Sequence, residues 1–334
     1  MTFFNVFFKT LGFFIGVTTF ILLLGILAIF LPENKVSPKF IKGDKNSNNI
    51  IAILTLNGPI VNNLQRTFRG SIIDYIDPNI IKNYLSTLDQ IEPKILIIKM
   101  NSPGGTVVAS SSLERMIRDF KNKTDTVVYF YTNEILTSGG YWVATSGNKI
   151  YASYGSLIGN IGVRGPSWYY YNNPISISNG LFGSKIETKD GIKVFDQTAG
   201  KSKDLYNPFR KPNKRELDHL SKLIEDIYED FVLKVSKSRK IESAILKNDI
   251  GALIFNSNQA KNNFLIDDEI EYDQLIKNIL IDNKFEDYKL LEINSEDNFV
   301  ISFFENLLDK NDKFICDKIN SNFVSILPTF FNSC

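Results

Sequence analysis

Histidine is almost missing: the 334 residues contain one, His219. An enzyme built on a Ser-His-Asp or Cys-His arrangement would have to use it. His219 lies roughly opposite the apolar stripe of the helical segment 213–240, so it is expected on the solvated surface, outside any chemistry. Cysteine is scarce too, with Cys316 and Cys334 alone. Two cannot make a disulfide framework, and with one histidine they cannot make an ordinary zinc site. No metal and no cofactor is expected. Net charge is close to zero, 38 basic against 37 acidic residues leaving +1, which argues against a general nucleic-acid binder. Neither an internal repeat nor a Gly-rich phosphate loop is found. Apolar residues are not scarce: at 43% they suffice for a buried core and exclude global disorder.

One stretch lacks charge altogether, between Lys9 and Glu33. Within it Leu11–Leu31 holds only Thr18 and Thr19 as hydroxyl residues, and its length at helical rise is about 30 Å, the thickness of a bilayer core. The run is too long for a signal-peptide core, and Phe30-Leu31-Pro32-Glu33 offers no small-x-small cleavage site. Residues 1–32 therefore read as a stub and an uncleaved single-pass anchor, with residues 11–31 in the lipid bilayer. Lys35, Lys39, Lys42 and Lys45 follow it, and taken alone they favour a cytoplasmic domain. Residues 33–48 are polar and unpatterned and read as a linker.

From Asn49 short apolar runs alternate with amphipathic stretches. Strands are expected at 50–56, 95–100 and 126–131, and helices at 77–91, 107–120 and 213–240. Strand alternating with helix implies an α/β domain with a parallel sheet. Further on, helices are expected at 271–280 and 297–309 and a strand near 287–293. The domain is placed at 49–275, followed by an extension, 276–334, of unknown role.

Two glycine-bearing turns follow consecutive strands: Asn101-Ser102-Pro103-Gly104-Gly105 and Thr137-Ser138-Gly139-Gly140-Tyr141. In open parallel sheets, sites form at the carboxyl edge, where both turns fall. Paired glycines let backbone N–H groups approach a ligand closely, and Ser138 at a helix start suits a nucleophile. Each turn alone would read as an ordinary strand-to-helix connection with Ser138 as N-cap; together they favour function. A serine nucleophile needs a base, and with histidine absent a lysine made neutral by burial can serve.

The motifs NSPGG (101–105), TSGGYW (137–142), GNIGV (159–163), KDLYNPFR (203–210) and Phe255–Ala260 leading to Leu265-Ile266-Asp267 occur in an order that resembles signal peptide peptidase A. That family comprises bacterial membrane-anchored Ser-Lys proteases on the fold shared with ClpP and the crotonases. The resemblance covers roughly residues 50–275. It implies a ClpP/crotonase-like domain of repeated ββα units with a mainly parallel sheet. It implies Ser138 as nucleophile and Lys203 as general base, with Lys201 the nearby competitor. Gly139 with Gly104 or Gly105 would supply the oxyanion hole, with Asn160 and Asp204 in support. The substrates implied are remnant signal peptides and other apolar peptides, hydrolysed by a half-length, homo-oligomeric protein in the bacterial inner (cell) membrane. The catalytic domain would lie outside the cytoplasm, where Cys316 and Cys334 could pair.

Two features depart from the family pattern. Asn160 stands where a serine commonly orients the lysine. The interval from Ser138 to Lys203 is also longer by about a dozen residues, placed within 164–198. That interval includes Trp168-Tyr169-Tyr170-Tyr171, expected as strand and core, with a pocket for apolar side chains as the alternative. Rival readings are an inactive scaffold of the same fold, an NfeD-linked type of membrane serine protease and, more remotely, a crotonase-type acyl-CoA enzyme.

Overall fold

The computed structural model describes residues 2–29, 36–62, 75–170, 178–180, 183–185 and 199–295. In chain order the first elements are α1 (Thr2–Ile29), β1 (Val36–Gly43), β2 (Ile50–Asn57), α2 (Pro78–Ile91), β3 (Ile95–Asn101) and α3 (Val107–Thr124). Next come β4 (Val127–Thr132), β5 (Ile135–Thr137), α4 (Gly139–Ala144), β6 (Lys149–Ala152) and β7 (Leu157–Gly159). A small hairpin, β8 (Ser178–Gly180) and β9 (Gly183–Lys185), precedes α5 (Lys214–Arg239) and α6 (Ser243–Ile245). The last elements are β10 (Ile254–Asn256), α7 (Ser257–Asn262), β11 (Asp268–Glu269), α8 (Tyr272–Asp282) and β12 (Lys289–Ser295).

The main sheet has the order β1-β12-β2-β3-β4-β6-β11, parallel throughout except for β1 against β12. Its central strands read as unbroken apolar runs because both faces are covered. Ala52, Leu54, Leu96 and Ile98 point into the larger core with Leu85, Leu88 and Leu113 of α2 and α3. Ile51, Ile53, Ile95 and Ile97 point the other way, against Leu275 and Ile279 of α8. Each fully buried Ile or Leu contributes about 1.5–3 kcal/mol. The helices start where their caps dictate: Asp77 accepts from the amide of Asn79 ahead of Pro78, and Thr106 accepts from that of Ala109.

A second, smaller sheet, β10-β7-β5, is extended by the bridges Ser102 to Leu136 and Gly105 to Ile60. Successive units thus run from a main-sheet strand into the small sheet and on into a helix, as in β4-β5-α4. The expected α/β class, with a mainly parallel sheet of repeated ββα units, is what the chain adopts. The expected helices and strands also form to within a few residues, apart from 297–309, which lies outside the described residues together with Cys316 and Cys334.

Three expectations need correction. Residues 36–43, read as part of a linker, form strand β1, which pairs antiparallel with β12. Pro38 and two lysines, Lys39 and Lys42, disguise it, but an edge strand tolerates a residue without an N–H and exposed charge. The boundary at 275 falls inside α8, and β12 lies within the main sheet, so residues through Ser295 complete the domain rather than follow it. Finally, Trp168, Tyr169 and Tyr170 are neither strand nor core: the segment is irregular, with Tyr169 and Tyr170 exposed, while Tyr171 lies outside the described residues.

Helix α1 begins at Thr2, earlier than the apolar run suggests. Phe3–Leu23 is long and apolar enough to cross a bilayer, and none of it is buried within the protein. Thr10, Thr18 and Thr19 turn their hydroxyls onto carbonyls one turn back, so these three donors are satisfied within the helix.

Candidate active site

The site is built where the two sheets meet. β3 ends at Asn101, whose side-chain oxygen accepts from Thr132 Oγ1 (2.9 Å) and from the amides of Asn133 and Glu134. That ties the first glycine turn to the connection between β4 and β5. Ser102 then pairs into the small sheet, donating its amide to Ile135 O (2.8 Å) and accepting from the amide of Thr137 (3.1 Å). Thr137 Oγ1 adds a bond to Pro103 O (3.2 Å).

The two turns therefore pack directly on each other at Gly140, the first turn also packs on Ile60, and glycine is required at both contacts. A Cβ on Gly105 would lie 1.9 Å from Ile60 O, and one on Gly140 would lie 2.9 Å from Ser102 O. Neither clash is with a side chain that could move away.

Ser138 sits at the apex of the second turn with φ 54° and ψ −122°, a strained conformation for a residue with a side chain. Its amide is held by Gly159 O (2.8 Å) and its carbonyl by Trp142 N (2.9 Å). The side chain does not cap α4, so the N-cap reading of this serine fails. Ser138 is 1% exposed, and its Oγ has no hydrogen-bond partner among the described residues. A buried hydroxyl without a partner costs about 1–3 kcal/mol. Backbone strain and an open hydroxyl at the same residue are a pairing that folding alone does not favour.

Helix α4 holds this turn rigidly. All six of its residues are buried. Trp142 stacks on Phe231 of α5 with centroids 4.8 Å apart, and Tyr141 donates its hydroxyl to Leu265 O (2.6 Å). The oxyanion candidates are now distinguishable. The Gly104 amide is already directed at Ser102 Oγ (3.2 Å). The Gly105 amide makes no bond among the described residues. The Gly139 amide belongs to the first turn of α4, whose N–H groups lack intrahelical acceptors.

Asn160 follows β7 in the left-handed region at φ 52°, where asparagine is favoured over other residues with a side chain. Its amide donates to Leu253 O (2.8 Å) and its carbonyl accepts from Gly162 N (2.9 Å). Backbone conformation alone is a reason for asparagine here.

Lys203 lies in the irregular segment before α5 with its side chain exposed, as is Lys201. The structure thus places Ser138 and Gly139 beside the turn that carries Gly105, and Lys203 makes no hydrogen bond to Ser138 Oγ. Asp204, next in the chain, pairs with Arg210, whose hydrogen bonds hold its carboxyl below the usual range. Arg210 also pairs with Glu216, held for the same reason at about 2. Sequence reasoning missed Glu216, although Asn213-x-x-Glu216 is a legible capping box. It named Trp168 but assigned it to strand and core, whereas its ring packs on Tyr206 and Arg210.

A parallel α/β sheet presents a strained, buried serine at its carboxyl edge, an arrangement that suits acyl-transfer chemistry. Comparison with known proteins narrows this. Residues 120–285 match Peptidase family S49, so the chain carries a domain of that family. It is 32% identical over 189 residues to a putative protease of Methanocaldococcus jannaschii, covering 55% of this chain and 56% of that one. It is 26% identical over 278 residues to a putative signal peptide peptidase SppA of Enterococcus faecium, covering 82% of this chain and 75% of the other. Among solved structures it is similar to ClpP1 from Listeria monocytogenes, with a TM-score of 0.41 at 14% identity over 66% of this chain and 91% of that one.

Proposed function

We propose that the protein is a membrane-anchored serine endopeptidase that cleaves apolar peptides, remnant signal peptides among them. Ser138 is the nucleophile and Lys203 the general base. The observation that carries this reading is the strained Ser138 turn with its buried, unbonded Oγ. The peptidase family match and the name of the Enterococcus relative support the reaction and the substrate class.

In this mechanism Lys203 takes the Ser138 proton as Oγ attacks the peptide carbonyl. The carbonyl oxygen becomes an oxyanion held by the amides of Gly139 and Gly105. The tetrahedral intermediate collapses to an acyl-enzyme, and Lys203 gives its proton to the leaving amine. A water, deprotonated by Lys203, then releases the acid. Asn160 and Asp204 support the lysine. Lys203 acts once bound peptide covers it. Helix α1 holds the domain beside the bilayer, outside the cytoplasm, where apolar substrates arrive without crossing bulk water, and the chain works as a homo-oligomer.

The exposure of Lys203 favours one second reading, an inactive scaffold of the same fold. Hydrolysis of a signal-peptide-like substrate by wild type, Ser138→Ala and Lys203→Ala separates the two. Loss of about 10³-fold or more in both variants, with folding intact, is expected. Wild-type protein inert toward a broad set of peptides would leave the scaffold.

A further inference from the structure

The segment from Gly200 to Asn213 carries Lys203 but has little backbone order of its own. Its turns are closed by long i to i−3 bonds, Lys203 N to Gly200 O (3.2 Å), Leu205 N to Ser202 O (3.3 Å) and Asn207 N to Asp204 O (3.2 Å). Ser202 and Tyr206 adopt positive φ, 62° and 64°. Such a segment does not hold a catalytic side chain in place by its backbone alone.

Arg210 supplies what the backbone lacks. Its Nε and Nη2 donate to the two carboxylate oxygens of Asp204 at 2.5 and 2.8 Å. Nη1 and Nη2 donate to the two oxygens of Glu216, both at 2.9 Å, and Nη1 also reaches Lys211 O (3.2 Å). Glu216 is anchored in turn: Oε2 accepts from the Asn213 amide (3.0 Å), and the Glu216 amide donates to Asn213 Oδ1 (3.0 Å). Trp168 closes one side, with the guanidinium carbon 5.1 Å from its ring centroid. The indole donates to Asn207 O (3.0 Å) and its ring lies 5.3 Å from that of Tyr206. One guanidinium therefore joins the residue after Lys203 to the first turn of α5. Only arginine has the planar fork to serve two carboxylates at once.

We propose that Arg210, clamped between Asp204 and Glu216, is a positioning residue that fixes where the backbone presents Lys203 to Ser138. The proposal rests on Lys203 being the base. Arg210 touches neither substrate nor the reacting atoms; it acts through the lysine. Misplacing a catalytic group by about 1 Å costs on the order of 10²-fold in rate.

The test uses the full chain in detergent with Arg210→Lys and Glu216→Gln, each made in wild type and in Lys203→Ala. Glutamine keeps the cap on α5 while removing the charged acceptor pair. Readouts are kcat and KM on a signal-peptide-like substrate, Ser138 acylation by a p-nitrophenyl ester, and the melting temperature. Each single variant is expected to lower kcat about 10²-fold with KM within about threefold. Neither should lower the residual rate of Lys203→Ala further, because the residue through which they act is already gone.

Undiminished kcat, a loss confined to KM, or an equal loss in the Lys203→Ala background each overturns the clamp while leaving the dyad standing. If Lys203→Ala retains the wild-type rate, the base assignment itself falls and the clamp with it. Should Arg210→Lys fail to fold, Glu216→Gln decides the matter alone.

Discussion

At the scale of single residues, Ser138 concentrates the informative physics. A residue with a Cβ at φ 54° and ψ −122° is strained by about 1–3 kcal/mol, and glycine relieves that strain at a cost of about 0.4–1 kcal/mol in unfolded-state entropy. Ser138→Gly is therefore expected to be more stable than Ser138→Ala by about 1 kcal/mol, although both lose the hydroxyl. Thermal or denaturant unfolding of the two variants checks this; equal stability would mean that the turn relaxes freely. Asn160 shows the opposite case. Its departure from the family serine has a backbone reason, the left-handed conformation at φ 52°, and no catalytic change need be invoked. The sequence made Ser138 legible through its glycine neighbours. It could not show that the hydroxyl is unbonded, because that depends on what surrounds it in three dimensions.

At the scale of elements, the segment between β7 and α5 and the first turn of α5 act together. The Asp204–Arg210–Glu216 cluster has an expected pH signature. Hydrogen bonds from Arg210 lower the carboxyl of Glu216 from 4.5 to about 2 and shift that of Asp204 the same way. A depressed carboxyl stabilises the folded arrangement fully above its unfolded value, and the contribution is lost as pH falls through its folded value. The arrangement should thus persist at pH 5 and open between about pH 4.5 and 2. Trp168 fluorescence in a Trp142→Phe background reports on it, and phenylalanine there forfeits no bond, since Trp142 Nε1 has no partner among the described residues. A transition already complete at pH 5 would contradict the assignment. Trp168 itself illustrates a limit of pattern reading. An aromatic run resembles strand and core by composition, whereas here the indole packs on an arginine and a tyrosine outside both sheets.

At the scale of the whole molecule, α1 and the α/β domain share no core among the described residues. None of Phe3–Leu23 is buried, while the main sheet is closed by β1 and β12 without help from the helix. Removing residues 1–32 is expected to give a soluble chain that keeps the melting temperature of the full chain within a few degrees. Removing residues 1–43 also deletes β1 and should destabilise the domain by uncovering β12. Scanning calorimetry of both truncations distinguishes them, and equal stability would show that β1 adds nothing to the sheet. Retained hydrolysis of soluble peptides, with loss of membrane-embedded ones, is the matching functional expectation for the shorter deletion.

The sequence by itself determined the apolar helix, the alternation of strand and helix, the parallel sheet and the two glycine turns. These features are written in local periodicity and in residues with few conformational alternatives, so neighbours along the chain suffice to read them. Tertiary structure decided the rest. Whether 36–43 is linker or strand depends on β12, some 250 residues away in sequence. Which glycine amide remains open depends on Ser102 and Ile60. Which residues steady the segment bearing Lys203 depends on a guanidinium that reaches two carboxylates at once. Pairing, packing and hydrogen-bond satisfaction are properties of groups that meet only after the chain has folded, and no periodicity records them.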